Sequence, residues 1–217
     1  MPSFQHNGIE IAYLDEGEGE PVVLVHGFAS NKETNWVQPG WVAALTAAGR
    51  RVIALDNRGH GASTKLYDIA DYDIGKMADD VIALMDHLRI GRADVLGYSM
   101  GGRIAGYVAW AYPERVRSAV IAGIGIRLTI AGFNGEKIAA GLEAASAAAV
   151  SDPLALGFRL FAEQTKSDLK ALAACMRNPN RIISREAAAS IRVPVLVATG
   201  TKDDIAGSGP ELAALIP

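Results

Sequence analysis

The chain has 217 residues, with 24 acidic and 21 basic side chains and a formal net charge of −3. That length suffices for one domain with a proper core. The weak acidity gives no electrostatic case for binding nucleic acid or an anionic membrane, so a small-molecule partner is favoured.

The cysteine content and the apolar segments of the chain are used to predict its cellular compartment. The single Cys175 excludes an intramolecular disulfide and is expected to be a buried thiol. The N-terminal residues lack the basic and apolar regions of a secretion signal. No apolar stretch reaches the ~18 residues of a membrane helix, so a cytoplasmic protein is predicted.

The strand signals come in two kinds. An alternating segment around Asn7-Gly8 predicts a β-hairpin, because this dipeptide tolerates positive φ at both turn positions. Short apolar runs without alternation are typical of strands buried on both faces of a parallel sheet. Such runs lie at residues 22–27, 52–56, 93–99, 116–124 and 193–200.

Segments with helical periodicity lie between these runs. They cover residues 41–49, 73–91 and 100–116, and the second has Asp73 as a predicted N-cap and Gly91 as a predicted C-terminal stop. Alternation of strands and helices predicts an α/β fold, with a mostly parallel sheet covered by helices on both faces.

One stretch interrupts the alternation. Residues 127–190 are rich in alanine, contain glycine and proline breakers, and carry no strand signal. We interpret them as a helical cap inserted between two strands, because about sixty residues would make only a thin independent core. The predicted core domain is then residues 1–126, continued and left incomplete by residues 191–217.

The sequence GYSMG at residues 97–101 matches the G-x-S-x-G motif between an apolar strand and a helix. A turn tight enough to expose Ser99 crowds the positions two before and two after it, where only glycine avoids a Cβ clash. The alternative is an ordinary turn in which Ser99 caps the following helix.

With this motif and three others, the chain resembles the α/β-hydrolase family. VHGF at residues 25–28 is similar to that family's His-Gly oxyanion loop, and DNRGHGAS at 56–63 to its Asp-x-Arg-Gly-x-Gly-x-Ser turn. VPVLVATGTKDD at 193–204 resembles the strand whose following loop supplies the catalytic acid. The four segments occur in the family's order.

The resemblance implies a role for each matching position. Ser99 would be the nucleophile, the main-chain N–H groups of Phe28 and Met100 would form the oxyanion hole, and Asp203 would be the acid, with Asp204 as the neighbouring control. The residues expected to be structural are His26, Asp56, Arg58 and His60.

The implied reaction is hydrolysis of a small ester, lactone or C–C substrate through an acyl-enzyme, with no metal or organic cofactor. A non-catalytic relative that binds a small ligand and a cofactor-free perhydrolase are the alternatives. Apolar side chains of the cap are candidates for an acyl pocket, although such residues are more often simply core. They are Phe133, Leu154, Leu156, Phe158, Leu160 and Phe161.

The family's triad runs Ser, then Asp or Glu, then His along the chain. All four histidines here, His6, His26, His60 and His87, precede Ser99. We therefore expect a fragment that lacks the closing strand, the loop bearing the histidine and the closing helix. Alternatively, His60 or His26 substitutes as the base, or the protein is non-catalytic.

A fragment of this kind has two expected properties. Loss of a triad base can cost about 10⁶ in turnover, so the 217-residue form should be nearly inert. Without a final strand, the run at residues 193–199 becomes an apolar sheet edge, which favours self-association.

Overall fold

The computed structural model describes residues 2–130, 134–180 and 182–217. In this part of the chain seven strands form one sheet in the order β1-β2-β4-β3-β5-β6-β7. The strands are β1 Ser3–His6, β2 Ile9–Glu16, β3 Glu20–Val25, β4 Arg50–Leu55, β5 Ala93–Tyr98, β6 Val116–Ala122 and β7 Val195–Ala198. Only the β1-β2 and β2-β4 pairs are antiparallel. The predicted mostly parallel α/β sheet is confirmed.

The helices follow the predicted alternation. They are α1 Trp41–Ala47, α2 Ile74–His87, α3 Met100–Ala111, α4 Gly135–Glu143, α5 Pro153–Gln164, α6 Leu169–Arg177, α7 Arg185–Ala189 and α8 Gly209–Leu215. Short 3-10 turns lie at Ile69–Tyr72, Pro113–Arg115, Ile126–Thr129 and Ala147–Ala149, and a π-helical turn at Glu33–Val37.

The sheet is covered on both faces, as predicted. Alternate residues of a strand point to opposite faces, so Val23 and Val25 pack with α2 and α3 in the main core. Val22 and Leu24 pack on the other face, against Val42 of α1 and its neighbours. Central strands buried on both faces explain why their sequences read as continuous apolar runs.

The two ends of helix α2 show one confirmed cap and one correction. Asp73 is the N-cap, and its carboxylate accepts the N–H of Gly75 at 2.8 Å. The predicted stop at Gly91 is wrong: Arg89 takes the left-handed conformation, with φ 55°. The N–H of Ile90 then bonds the carbonyl of Met85 at 2.7 Å, which closes the helix before Gly91 is reached.

The predicted cap region divides by its packing. Helices α4, α5 and α6 pack on one another and share a hydrophobic cluster, here called the cap cluster, which also includes Phe28 and Tyr72. From Ile183 onwards the chain packs instead with the main core, through Ala187, Ala188 and other residues. The domain boundaries at residues 126 and 190 stay predictions.

Strand β7 lies at one end of the sheet. Within the described residues it pairs only with β6, and the chain after it forms α8, which packs on β7. The Leu196 side chain is 61% exposed there. No helix in the described parts of the chain has both the length and the hydropathy needed to cross a bilayer.

Candidate active site

Ser99 occupies a strained turn between β5 and α3. Its backbone has φ 54° and ψ −110°, a conformation that L-residues rarely adopt and that costs roughly 1–3 kcal/mol. Its N–H donates to the carbonyl of Ala122 at 2.8 Å, and its carbonyl accepts the N–H of Arg103 at 3.1 Å. The Ser99 hydroxyl does not cap α3, so the ordinary capping turn is excluded.

The glycines around Ser99 are required sterically. A Cβ at Gly97 would overlap the carbonyl group of Gly101, and a Cβ at Gly101 would overlap the carbonyl of Val25. A Cβ at Gly27 would lie 3.5 Å from Cβ of Ser99, which places the loop after β3 directly beside the turn. The crowding predicted from the motif is therefore confirmed.

The side chain of His26 helps to hold the loop after β3 in place. The N–H of Asn57 donates to Nε2 of His26 at 3.0 Å, so the proton is on Nδ1, which donates to the carbonyl of Gly27 at 2.7 Å. Burial lowers the pKa of His26 despite the opposing attraction of Asp56. Both ring nitrogens of this neutral imidazole are used, and the predicted structural role of His26 fits.

Further side chains hold the same loop. Oδ1 of Asn35 accepts the N–H of Gly27 at 2.9 Å. Asp56 accepts the N–H of Lys32 at 2.8 Å and, through its other oxygen, the Lys32 ammonium at 2.7 Å. The loop is thus held to the turn after β4 by buried hydrogen bonds.

The two amides predicted as oxyanion donors point to no other acceptor. Among residues 2–130, 134–180 and 182–217, neither the Phe28 N–H nor the Met100 N–H donates a hydrogen bond. Both side chains contribute to the cap cluster. Unused N–H groups beside a strained serine are what an oxyanion hole requires.

Asp203 lies in the loop after β7, on the same edge of the sheet. Its Oδ1 accepts the N–H groups of Ile205 and Ala206, both at 2.9 Å, so the carboxylate organises its own turn. The N–H of Gly125 bonds the carbonyl of Ala206 at 2.9 Å, which joins this loop to the loop after β6. Asp203 is half-buried and Asp204 is exposed.

His60 cannot easily act as a base. Its Nδ1 lies 2.9 Å from the carbonyl of Arg58, to which it donates, and its Nε2 is buried with no partner in the described residues. Burial lowers the pKa of His60 to about 3. Its ring packs edge-on against Phe28, with centroids 5.8 Å apart.

The remaining histidines are used elsewhere. Nδ1 of His6 lies 2.8 Å from the Asp80 carboxylate, and His87 stacks on Phe4 with ring centroids 5.2 Å apart. Among the described residues no histidine is hydrogen-bonded to Ser99. Within the described residues, none of the four histidines is in place to act on Ser99 as a base.

The cap presents one apolar face of α5 to the cap cluster. Leu154, Phe158 and Phe161 pack against this cluster, and the Phe158 ring meets Phe28 edge-on at 5.6 Å. Leu160 is 50% exposed, which contradicts its place in an acyl pocket. Leu156 is half-buried outside the cluster. Phe133 lies outside the described residues.

Other binding chemistry is sparse. A cleft of ≈ 600 Å³ between the 67–69 segment and helices α4 and α6 is lined by none of the predicted site residues. In the described parts of the chain no group of three or more His, Cys, Asp or Glu side chains is arranged to hold a metal.

The predicted burial of Cys175 is confirmed, with its sulfur 3.9 Å from that of Met100.

Sequence reasoning missed three side chains that hold the loop after β3. Lys32, Asn35 and Thr165 carry no motif, and their partners lie up to 136 positions away along the chain. The nearest signal was Asp56, which was expected only to hold its own turn.

A profile of the alpha/beta hydrolase fold family matches residues 20–135. This chain, with its strained serine turn and mostly parallel sheet, belongs to the alpha/beta hydrolase family.

Two curated relatives each match about half of this chain. The chain is 44% identical over 115 residues to the dihydrolipoyllysine-residue acetyltransferase component of an acetoin cleaving system from Pseudomonas putida (52% of this chain, 30% of the relative). It is 40% identical over 116 residues to the non-heme chloroperoxidase CPO-A1 from Kitasatospora aureofaciens (53% and 40%). These matches span well under half the length of the curated relatives.

A solved structure matches nearly the whole chain. The enol-lactonase from Burkholderia xenovorans LB400 superposes with a TM-score of 0.82 and 25% sequence identity, covering 99% of this chain and 88% of the lactonase.

Proposed function

We propose that this chain carries the nucleophile and oxyanion hole of a serine hydrolase acting on small esters, lactones or C–C substrates. The observation that carries the proposal is the strained Ser99 turn next to the amides of Phe28 and Met100, which donate to no acceptor among the described residues. Similarity to an enol-lactonase supports an acyl substrate.

In this mechanism the Ser99 hydroxyl oxygen attacks the acyl carbonyl carbon, and its proton passes to a base. The Phe28 and Met100 N–H groups stabilise the negative oxygen of the tetrahedral intermediate, each by about 3 kcal/mol. Collapse expels the leaving group and forms an ester on Ser99. Water then attacks this ester and releases the acid.

The proposal assigns the base to an imidazole from outside the four histidines of this chain. Asp203 would orient that imidazole, because Oδ1 is held by its own turn and the carboxylate is fixed in place. Phe158 beside Phe28 would contact the acyl group. On this proposal the 217-residue chain is nearly inert towards substrates.

Fluorophosphonate labelling, read by peptide mass spectrometry, tests the nucleophile. We expect Ser99 in the folded 217-residue chain to react about 10³-fold faster than serines of the urea-unfolded chain, from the oxyanion hole alone. Added imidazole should accelerate the reaction further. Equal labelling of folded and unfolded chains, or undiminished labelling in Ser99→Ala, would overturn the proposal.

The base assignment has its own test. If imidazole does not accelerate labelling at Ser99, the assignment of an imidazole base is contradicted. The assignment of Ser99 as the nucleophile is not affected by that result. Reading the codons after Pro217 in the parent gene checks the fragment expectation.

Two other functions each have one supporting observation. In the described part of the chain no histidine is bonded to Ser99, which favours a non-catalytic protein that binds small ligands. For such a protein, Ser99 of the folded chain would be labelled no faster than serines of the unfolded chain. Similarity to a chloroperoxidase favours perhydrolysis, in which hydrogen peroxide replaces water as the attacking group and a peracid leaves. Peracid formation from acetate and hydrogen peroxide, lost in Ser99→Ala, would identify it.

A further inference from the structure

Ala29, directly after Phe28, has an unexpected backbone conformation. Its φ is 58°, and the residue is completely buried. A left-handed conformation costs an L-residue roughly 1–2 kcal/mol, so it persists only where surrounding contacts enforce it. The Ala29 carbonyl and the Phe28 N–H are separated by one peptide unit, so whatever holds Ala29 restrains the backbone that carries the Phe28 N–H.

The contact at Ala29 comes from the predicted cap. Oγ1 of Thr165, at the C-terminal end of α5, lies 2.8 Å from the carbonyl oxygen of Ala29, and Oγ of Ser167 lies 3.4 Å from the same oxygen. The Thr165 hydroxyl also lies 3.1 Å from the carbonyls of Phe161 and Ala162. One hydroxyl proton serves one acceptor at a time, and the Ala29 carbonyl is the nearest.

Ser167 completes a short chain of donors. Its hydroxyl lies 2.9 Å from Oγ1 of Thr165, so it can donate to Thr165 while Thr165 donates to Ala29. Hydrogen bonds in series polarise and strengthen one another.

The same cap helices contact both amide-bearing residues of the proposed site. Phe158 of α5 meets the Phe28 ring edge-on at 5.6 Å, and Cys175 of α6 lies 3.9 Å from the Met100 sulfur. In contrast to these side-chain contacts, the hydroxyls of Thr165 and Ser167 bond the main chain of the loop, and that of Thr165 is the nearer.

We infer that Thr165 is a positioning residue: its hydroxyl holds Ala29 in the left-handed conformation and thereby aims the Phe28 N–H towards Ser99. The inference rests on the proposed function. It makes the cap part of the oxyanion hole's support, in addition to any part it has in binding substrate.

The chain offers a matched control for the test. Thr46 of α1 also bonds the carbonyls three and four residues earlier, at 3.1 and 2.9 Å, but among the described residues its hydroxyl bonds no loop carbonyl. Thr46→Val therefore removes the same intrahelical bonds as Thr165→Val. Thr165→Ser keeps the hydroxyl and serves as the conservative rescue.

The first readout is the rate of Ser99 labelling by fluorophosphonate in the 217-residue chain. Thr165→Val should slow labelling about tenfold, because the Phe28 N–H would be displaced from its position in the oxyanion hole but would still be present. Thr165→Ser should restore the rate, and Thr46→Val should leave it unchanged. Equal rates in Thr165→Val and Thr46→Val would overturn the inference.

The second readout is hydrogen–deuterium exchange in peptides covering residues 27–30. Exchange should accelerate in Thr165→Val alone. If Ser99→Ala does not reduce labelling, the proposed function fails, and this exchange arm still decides whether Thr165 holds the loop. Unchanged exchange in Thr165→Val would contradict the inference whatever the labelling shows.

Discussion

The ammonium of Lys32 lies 2.7 Å from Oδ2 of Asp56, and both side chains are buried. Burial alone would raise the pKa of Asp56, but hydrogen bonds from Ala62 and Lys32 outweigh it and hold that pKa below its ordinary value. The pair joins the loop after β3 to the turn after β4. A buried ion pair of this kind is costly to break, because the remaining charge is left without a partner.

Lys32→Met should therefore lower the free energy of unfolding by about 3–5 kcal/mol, measured by urea denaturation. Arg185→Met is the control, because the Arg185–Glu211 pair is 52% exposed on both sides and 3.5 Å long. Loss of the Arg185–Glu211 pair should change the free energy of unfolding by less than about 1 kcal/mol. Similar losses in both variants would show that the buried pair has no special role.

The buried histidines predict acid sensitivity. The pKa of His60 is lowered to about 3, chiefly by burial, from an ordinary value of 6.5. Below pH 6.5 the unfolded chain binds a proton at His60 that the folded chain does not. The contribution of His60 to the free energy of unfolding should therefore be complete above pH 6.5. It should decrease as the pH falls towards 3, by up to about 1.4 kcal/mol per pH unit.

Urea denaturation between pH 7 and pH 4 measures this slope. His60→Gln should reduce the slope, even if the variant is less stable at pH 7. An unaltered slope in His60→Gln would mean that His60 is protonated in the folded protein.

The sheet and the serine turn were predictable because both leave local patterns. The Asn7-Gly8 hairpin turn forms with φ 49° and 80°, and buried strands require apolar runs. The helix end at Arg89 was missed, because a left-handed arginine violates the usual preference for glycine. The Lys32–Asp56 and Thr165–Ala29 bonds join distant segments, so their partners are set by the fold and leave no periodic signal.

The steric requirement at Gly97 can be tested directly. Gly97→Ala would place its Cβ against the carbonyl of Gly101 and should prevent folding or cost more than about 3 kcal/mol, as overpacking against rigid backbone does. Gly157→Ala, in α5 with no atom near the added Cβ, should instead raise stability by roughly 0.5–1 kcal/mol. Circular dichroism and thermal melting distinguish the two, and a folded Gly97→Ala of ordinary stability would refute the steric account.

We propose that the 217-residue chain self-associates through β7, whose outer edge has no partner in the described residues. Leu196→Lys should shift the chain towards monomer in size-exclusion chromatography, because charge on an edge strand opposes pairing with another chain. Leu160→Lys, at a similarly exposed position on α5, should not. A monomeric parent chain at high concentration would contradict the proposal.

The bond between Ala29 and Thr165 spans 136 positions, which has a consequence for biosynthesis. At about 5–20 residues per second, a ribosome needs roughly 7 to 27 seconds after Ala29 to add Thr165. In the later part of that interval Ser99 has been synthesised, but the hydroxyl of Thr165 is not yet present to hold the neighbouring loop. Competence for acyl chemistry would then arise late in translation, after the region between β6 and β7 has emerged.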